Sequence, residues 1–339
     1  MQKGRKAVLL INVGTPDKAE VKEVRRFLSR FLNDKRVMDM PALLRKILVN
    51  FFIVPFRAPK STKLYEQLWT SEGSPLLLNT EKFAAGLRKI LGDNYRVFTA
   101  MRYGNPSLPE NLQQIRNQEF DELIVFPLFP QYASSTTGTV TEFVKKETKD
   151  WKTAHRIRYI NQFYNHSGFL EAFSQNIAAC HPAEFDHIIF SYHGLPLRQI
   201  NKIHPEISSV RCTCNKQMPV HGSHCYKATC YETTRLLAAK LGLQKEQYSI
   251  GFQSRFSKNW LSPFTDDLIK KLAGNGAKKI LVTVPSFVAD CLETLVEIEI
   301  GYGKLFRELG GKELVLVKSL NDSGQWVKAA ADIIRFERR

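Results

Sequence analysis

The chain has 339 residues, of which 43% are apolar and 24% charged, a globular composition long enough for two domains. A formal net charge of +16 at pH 7 favours polyanions, acidic lipid headgroups or an anionic small substrate as partners, although solvated basic faces account for most such excesses. Six cysteines at uneven spacing, four of them from Cys212 to Cys230, suit a reducing, cytoplasmic address with a local thiol site better than a secreted disulfide framework.

At the N-terminus a basic stretch, residues 1–6, precedes apolar residues 7–13 in imitation of a signal peptide. No small-residue cleavage site follows, and Gly14-Thr-Pro16 reads as a turn closing a strand. The most apolar stretch, residues 47–56, contains Asn50 and Pro55 and falls short of the roughly 20 apolar residues that span a bilayer. It is still greasy enough to rest on one.

Short β-branched and aromatic runs bounded by turn residues predict strands over 7–13, 96–101, 122–129 and 156–160. A second set follows in similar order over 187–192, 248–253, 279–284 and 313–317, with helical patterns such as 233–241 and 263–273 between its members. Strands apolar on both faces belong to parallel sheets covered by helices. The expected fold class is therefore α/β: two Rossmann-like domains, each with a four-stranded parallel sheet flanked by helices.

Ligands of such sheets bind beyond the carboxyl ends of the strands, and polar residues gather there. Asn12, Gly14, Arg102, Tyr103 and the segment 131–138 do so in the first half, and His193, Arg255 and the segment 290–297 in the second. One site in a cleft between the halves, with the division near residue 165, is the expectation.

His193 follows an apolar strand and precedes Gly194 and Pro196, so it can face the site as a base or metal ligand. A half-buried histidine bonded to a loop carbonyl fits the same position. Glu293 and Glu297 are four apart, which on a helix puts two carboxylates on one face. Buried, the pair would raise at least one pKa and hold protons or a cation; solvated, it is merely polar. Fe2+ accepts imidazole and carboxylate ligands, and a site with few of them can hand the ion on. The hydroxyl-rich Gln131-Tyr-Ala-Ser-Ser-Thr-Thr-Gly138 suits phosphate or carboxylate but lacks the glycines and lysine of a P-loop.

Taken in order, several segments resemble the ferrochelatases: Leu10-Ile-Asn-Val-Gly-Thr-Pro16, Ser71-Glu-Gly-Ser-Pro75, Arg102-Tyr103, Gln131 to Gly138, Ser191-Tyr-His-Gly194, Phe252-Gln-Ser-Arg255, and Pro285 through Asp290 and Glu293 to Glu297. The resemblance spans nearly the whole chain. It implies a lyase that inserts Fe2+ into protoporphyrin IX to form protohaem, with release of two protons, in a cleft between two Rossmann-like domains. Boundaries of 1–165, 166–320 and a C-terminal segment 321–339 whose helix, 325–339, packs back on the first domain go with it.

By this resemblance His193 and Glu293 form the Fe2+ site, Glu297 continues an acidic ridge, and His193 is the favoured acceptor of pyrrole protons. Gripping the ring in a saddled shape would expose nitrogen lone pairs to the ion. Val13, Tyr103 and Trp260 are the implied walls for the macrocycle, and Arg57, Lys60, Ser74 and Arg102 the implied groups near its propionates or the cleft mouth. Residues 47–56 resemble a cleft lip that touches the membrane, with Arg45, Lys46, Arg57 and Lys60 favouring anionic lipid. Peripheral contact with the inner face of the cell membrane is thus expected of a cytoplasmic protein. Two departures stand out: Cys291 takes a place where many relatives have histidine, and Gly301 ends the acidic ridge a turn early.

An inserted segment, 206–230, brings Cys212, Cys214, Cys225 and Cys230 into a C-x-C-x10-C-x4-C array. The resemblance implies a [2Fe–2S] cluster, as in a subset of the family. Structural zinc competes, because His221 and His224 sit beside Cys225. Cys180 and Cys291 are expected to be free. A zinc knuckle for nucleic acid is the reading from a different class. With a single aromatic, Tyr226, among Arg211, Lys216 and Lys227, the insert lacks an RNA-binding signature, so no nucleic-acid partner is expected. A chelatase for another metal or a more carboxylated porphyrin is the nearer rival, and oligomeric state is open.

Overall fold

The computed structural model describes residues 5–336 except 119, 153, 204–206 and 210. Residues 1–4 of the signal-like stretch, Glu206 at the head of the insert and residues 337–339 of the expected C-terminal helix lie outside the described residues. The described chain divides into two compact units, one of residues 5–129, 133–162 and 330–336, the other of 130–132 and 163–329.

The first unit is built on strands β1 (Lys6–Asn12), β2 (Tyr95–Met101), β3 (Glu122–Pro127) and β4 (Ile157–Tyr159). The second is built on β5 (His187–His193), β6 (Tyr248–Gln253), β7 (Lys279–Thr283) and β8 (Glu313–Leu316). Each set forms a four-stranded parallel sheet, in the orders β2-β1-β3-β4 and β6-β5-β7-β8. The fold class is as the sequence predicts. Ala7, Leu9, Ile11 and Val125 pack against Leu112, Val140 and Val144 in one unit, and Ile189, Ile280 and Val282 against Ile269, Ile298 and Phe306 in the other. Burial on both faces is what made the strands continuous apolar runs.

Helix ends and types depart from the sequence reading. The pattern at 233–241 belongs to a longer helix, Tyr226–Lys240, which takes in Cys230; its first turns are Cys- and Thr-rich and carry no apolar period. Glu293 and Glu297 lie on a π-helix, Leu292–Tyr302, continued by an α-helix, Gly303–Glu308, so Gly301 does not stop the chain's helical course. Two further π segments are Leu48–Ile53, inside the apolar stretch, and Ser134–Gly138, inside the hydroxyl-rich one. The C-terminal helix is Gly324–Arg335. Among the described residues no helix is long and apolar enough to cross a membrane.

Candidate active site

In each sheet the first strand is flanked by the next two, so the crossovers leave in opposite directions and open a crevice at that strand's carboxyl end. Asn12 ends β1 and His193 ends β5. The sequence-predicted histidine therefore sits at the switch point of the second sheet.

His193 is half-buried, and its ring lies 6.4 Å from that of Trp260 and 6.3 Å from that of Phe287. Its Nδ1 is 2.6 Å from the Gly194 carbonyl oxygen. A carbonyl only accepts, so Nδ1 carries the proton and the neutral imidazole keeps its lone pair on Nε2. Gly194 makes this turn possible: its N–H donates to the Gln253 carbonyl at 2.8 Å, and a Cβ at position 194 would lie 2.8 Å from that same oxygen.

Gln253, at the end of β6 beside His193, ties the strand ends to the π-helix. Its amide accepts from Ser191 Oγ at 2.8 Å and donates to the Glu293 carbonyl at 2.9 Å. The Glu297 carboxylate accepts from the Ser254 N–H at 2.7 Å, Ser254 Oγ at 2.5 Å, Tyr302 Oη at 3.1 Å and Gln253 Nε2 at 3.3 Å. It is an anchored group. Glu293 is half-buried near the Cys291 thiol, which burial and then the Glu293 charge push well above its ordinary pKa. The foot of the π-helix is held by buried Asp290, which accepts from Asn321 Nδ2 at 2.7 Å and the Ser319 N–H at 3.1 Å.

In the first unit Arg102 is committed to protein partners. Nη2 reaches Asp34 Oδ2 at 2.9 Å, Nε reaches Thr139 Oγ1 at 3.1 Å, and the guanidinium lies 4.7 Å from the ring centre of Tyr103 and 4.6 Å from that of Phe143. Tyr103, expected as a wall, is buried and donates to Asp34 at 3.0 Å. Burial, then the Asp34 charge, pushes its phenol well up. Val13 is half-buried, and Arg57 and Lys60 are exposed. Ser74 caps the helix Pro75–Leu91 with its Oγ buried and without a hydrogen-bond partner among the described residues. The stretch 131–138 is not an open anion loop: Ser134 accepts from Arg36 at 2.9 Å and Gln131 donates to Thr233 at 3.0 Å.

The apolar stretch 47–56 is unevenly exposed. Leu48 and Ile53 are half-buried, whereas Leu43, Phe51, Phe52 and Phe56 are 73%, 70%, 62% and 73% exposed. Arg45, expected to face lipid, is buried and donates to the Met40 carbonyl at 2.8 Å. Lys46 remains exposed beside the strip.

Cys212, Cys214, Cys225 and Cys230 are all buried and free of disulfides, as is Cys291; Cys180 is half-buried and free. Burial pushes the Cys214 thiol up to about 12, with Lys227 opposing and Cys212 and Cys225 adding. Cys230 is raised well above its ordinary value by burial, and Cys225 and Cys214 add to it. The thiols thus feel one another, and Cys212 Sγ lies 3.5 Å from His221 Nε2. Among the described residues no three His, Cys, Asp or Glu stand at the spacing of metal ligands.

The Ferrochelatase family profile matches residues 5–338. Proteins named ferrochelatase from Legionella pneumophila (strain Lens) and Coxiella burnetii (strain Dugway 5J108-111) are 39% and 40% identical, over 97% of this chain and 98% and 92% of theirs. The chain belongs to the ferrochelatase family. Solved structures of SirB from Bacillus subtilis, with Fe3+ and, from subspecies spizizenii, with cobalt, align with TM-scores of 0.53 and 0.52 at 10% and 8% identity. They cover 98% and 96% of this ferrochelatase-family chain and 94% and 92% of their own, and share its fold.

The structure adds Asp34, Gln253, Ser254, Tyr302 and Tyr226 to the residues around the predicted ones. Only Gln253 and Ser254 had a sequence signal, as neighbours of Arg255 at a strand end. Arg255 itself points to Asp266 and Asp267, at 2.6 and 3.1 Å.

Proposed function

We propose that this protein is a lyase that inserts Fe2+ into protoporphyrin IX, forming protohaem and releasing two protons in haem biosynthesis. The match over 97% of the chain to proteins named ferrochelatase carries the reading. The reaction exchanges two pyrrole protons for one divalent ion, so it needs a base facing the ring and a place from which the ion enters. His193 Nε2 takes the pyrrole protons, because Nδ1 is committed to Gly194. Glu293 joins His193 in receiving Fe2+, a small ligand set that leaves the ion open to the porphyrin nitrogens. Glu297, with its four donors, holds the π-helix to the end of β6.

By resemblance to the family, half-buried Val13, buried Tyr103 and half-buried Trp260 are the apolar groups for the macrocycle, and Arg102 is a group for its propionates. Exposed Arg57 and Lys60 suit the propionates, and the Ser74 hydroxyl retains a free hydrogen bond. Exposed Leu43, Phe51, Phe52 and Phe56 with Lys46 and Arg57 support peripheral contact of a cytoplasmic protein with anionic membrane.

Purified protein assayed with Fe2+ and each porphyrin tests the reading. His193→Ala and Glu293→Ala are each expected to lose about a hundredfold or more in turnover, with an unchanged circular dichroism spectrum. Near-normal insertion by either variant would remove that residue from the chemistry, and a strong preference for coproporphyrin would change the substrate.

For the array we propose a [2Fe–2S] cluster on Cys212, Cys214, Cys225 and Cys230. The donor set fits in kind, since four buried thiols that feel one another suit a thiophilic centre. Their spacing fits only if the sulfurs draw together. When bound, the cluster supplies a one-electron redox centre, and no step of iron insertion is assigned to it. Anaerobically purified protein is expected to be red-brown and bleached by dithionite. A colourless protein carrying stoichiometric zinc would overturn this assignment in favour of structural zinc.

A further inference from the structure

The outer edge of the first sheet carries main-chain groups that the fold leaves open. β2 is the end strand in the order β2-β1-β3-β4. Its even-numbered residues face β1, and the Arg102 N–H continues that pattern by donating to the Asn12 carbonyl at 2.9 Å. Tyr95, Val97, Thr99 and Met101 therefore turn their N–H and C=O groups outward. Turns of the chain close both ends of this edge: the Tyr95 N–H donates to the Gly92 carbonyl at 3.1 Å, and the Met101 N–H to the Pro106 carbonyl at 2.7 Å. Between them Arg88 covers the Val97 carbonyl, with Nε at 3.3 Å and Nη2 at 3.2 Å. Among the described residues the Tyr95 carbonyl, the Val97 N–H and both main-chain groups of Thr99 have no partner.

These groups line a groove of about 460 Å3 between the helix Pro75–Leu91, which supplies Arg88, and the helix Leu108–Arg116, which supplies Asn111. Asn111 is only 7% exposed. Its Nδ2 donates to the Ser107 carbonyl at 3.0 Å, and its Oδ1 has no partner among the described residues. A shielded amide oxygen of this kind gains from a ligand N–H. Open donors and acceptors thus alternate along one line, as the main chain of an extended peptide requires.

Charge narrows the choice of occupant. The lining includes Arg88 and Arg96 and no Asp or Glu. Arg96 is exposed, with its guanidinium 5.6 Å from the centre of the Phe98 ring and no carboxylate partner among the described residues. Arg88 keeps Nη1 uncommitted among them, while the nearby Glu81 carboxylate is taken by Thr99 Oγ1. A second copy of the chain pairing through the same edge would bring the arginines of both copies together, which like charge opposes. The open stretch from Tyr95 to Thr99 is also short, about 13 Å at strand spacing.

We propose that this groove binds a short, extended, acidic segment of a partner protein, which adds to the sheet beside β2: its main chain pairs with Val97 and Thr99, and a carboxylate side chain meets Arg96. None of these residues has a part in the proposed insertion of iron.

Fluorescence anisotropy of a labelled hexapeptide alternating glutamate with valine, blocked at both ends, tests this on the full-length protein. Saturable one-to-one binding is expected at low salt, and the lysine–valine counterpart should not compete. Arg96→Glu, at an exposed position, should weaken binding about tenfold or more, because attraction becomes repulsion. N-methylation of the peptide's backbone amides keeps its charge and should weaken binding about tenfold or more through loss of the ladder hydrogen bonds. With saturating peptide, hydrogen exchange at the Val97 and Thr99 amides should slow about tenfold or more. Absence of saturable binding, or equal binding by Arg96→Glu or by the N-methylated peptide, would overturn the proposal. Displacement by free glutamate at matched concentration would overturn it in favour of a small carboxylate ligand, and unchanged exchange at Val97 and Thr99 would place the peptide elsewhere.

Discussion

Ser254 presents both its N–H and its hydroxyl to the Glu297 carboxylate, and does so from a left-handed backbone with φ of 61°. A non-glycine residue in that region is strained, and the two bonds to a carboxylate offset the cost. Ser254→Gly is expected to leave stability within about 1 kcal/mol, since relieved strain offsets the lost hydroxyl bond. Glu297→Ala is expected to cost more, because it strands the Ser254 N–H, Tyr302 and Gln253 as donors at once. Urea denaturation compares the two, and equal stability of both variants would mean that Glu297 does not anchor the π-helix.

Gly194→Ala is a stringent probe of the histidine turn. The added Cβ meets main-chain oxygen of Gln253 rather than a flexible side chain, so the loop must shift. A loss of about 1–3 kcal/mol is expected together with loss of iron insertion, and thermal unfolding beside an insertion assay reads both.

Glu122 gives a pH signature in the first sheet. Burial would raise its pKa, but hydrogen bonds from Lys6 and Arg158, at 2.8 and 3.0 Å, outweigh burial and hold it below the usual range. A folded pKa below the unfolded value means that the contribution is present above about pH 4.3 and fades as pH falls through the folded value. Glu122→Gln should therefore destabilise the protein at pH 7, and the gap to wild type should close below about pH 4. A gap independent of pH in denaturant titrations would contradict this.

The exposed strip offers a fourth test. Phe51→Ser with Phe52→Ser is expected to reduce retention on anionic liposomes at low salt, whereas Leu48→Ser, at a half-buried position, should act mainly on stability. Equal retention of wild type and double variant in a flotation assay would leave the strip without a lipid role.

Parallel strands buried on both faces were legible as apolar runs, and the residue ending one of them, His193, was legible because a glycine and a proline follow. The π-helix was not, because i→i+5 bonding leaves no compositional mark distinct from an amphipathic α-helix. Asp34, which organises Arg102, Tyr103 and Thr139, stands among basic neighbours that gave it no prominence. Tyr226 was noticed only as the lone aromatic of the insert; its hydrogen bond to the His193 carbonyl, 33 residues away in sequence, leaves no local mark. Arg45 shows the converse, a basic residue in an apolar setting that reads as lipid-facing but is buried and donates to the Met40 carbonyl.

Arg158, in β4, is bonded to the carbonyls of Ile334 and Phe336, 176 and 178 residues further along the chain, and Arg335 donates to the carbonyl of Ile90 at 2.6 Å. During synthesis the first sheet therefore assembles long before the segment that closes over its edge leaves the ribosome. A chain stalled before residue 330 would carry an unfinished β4 border, open to chaperones or to pairing with another nascent chain.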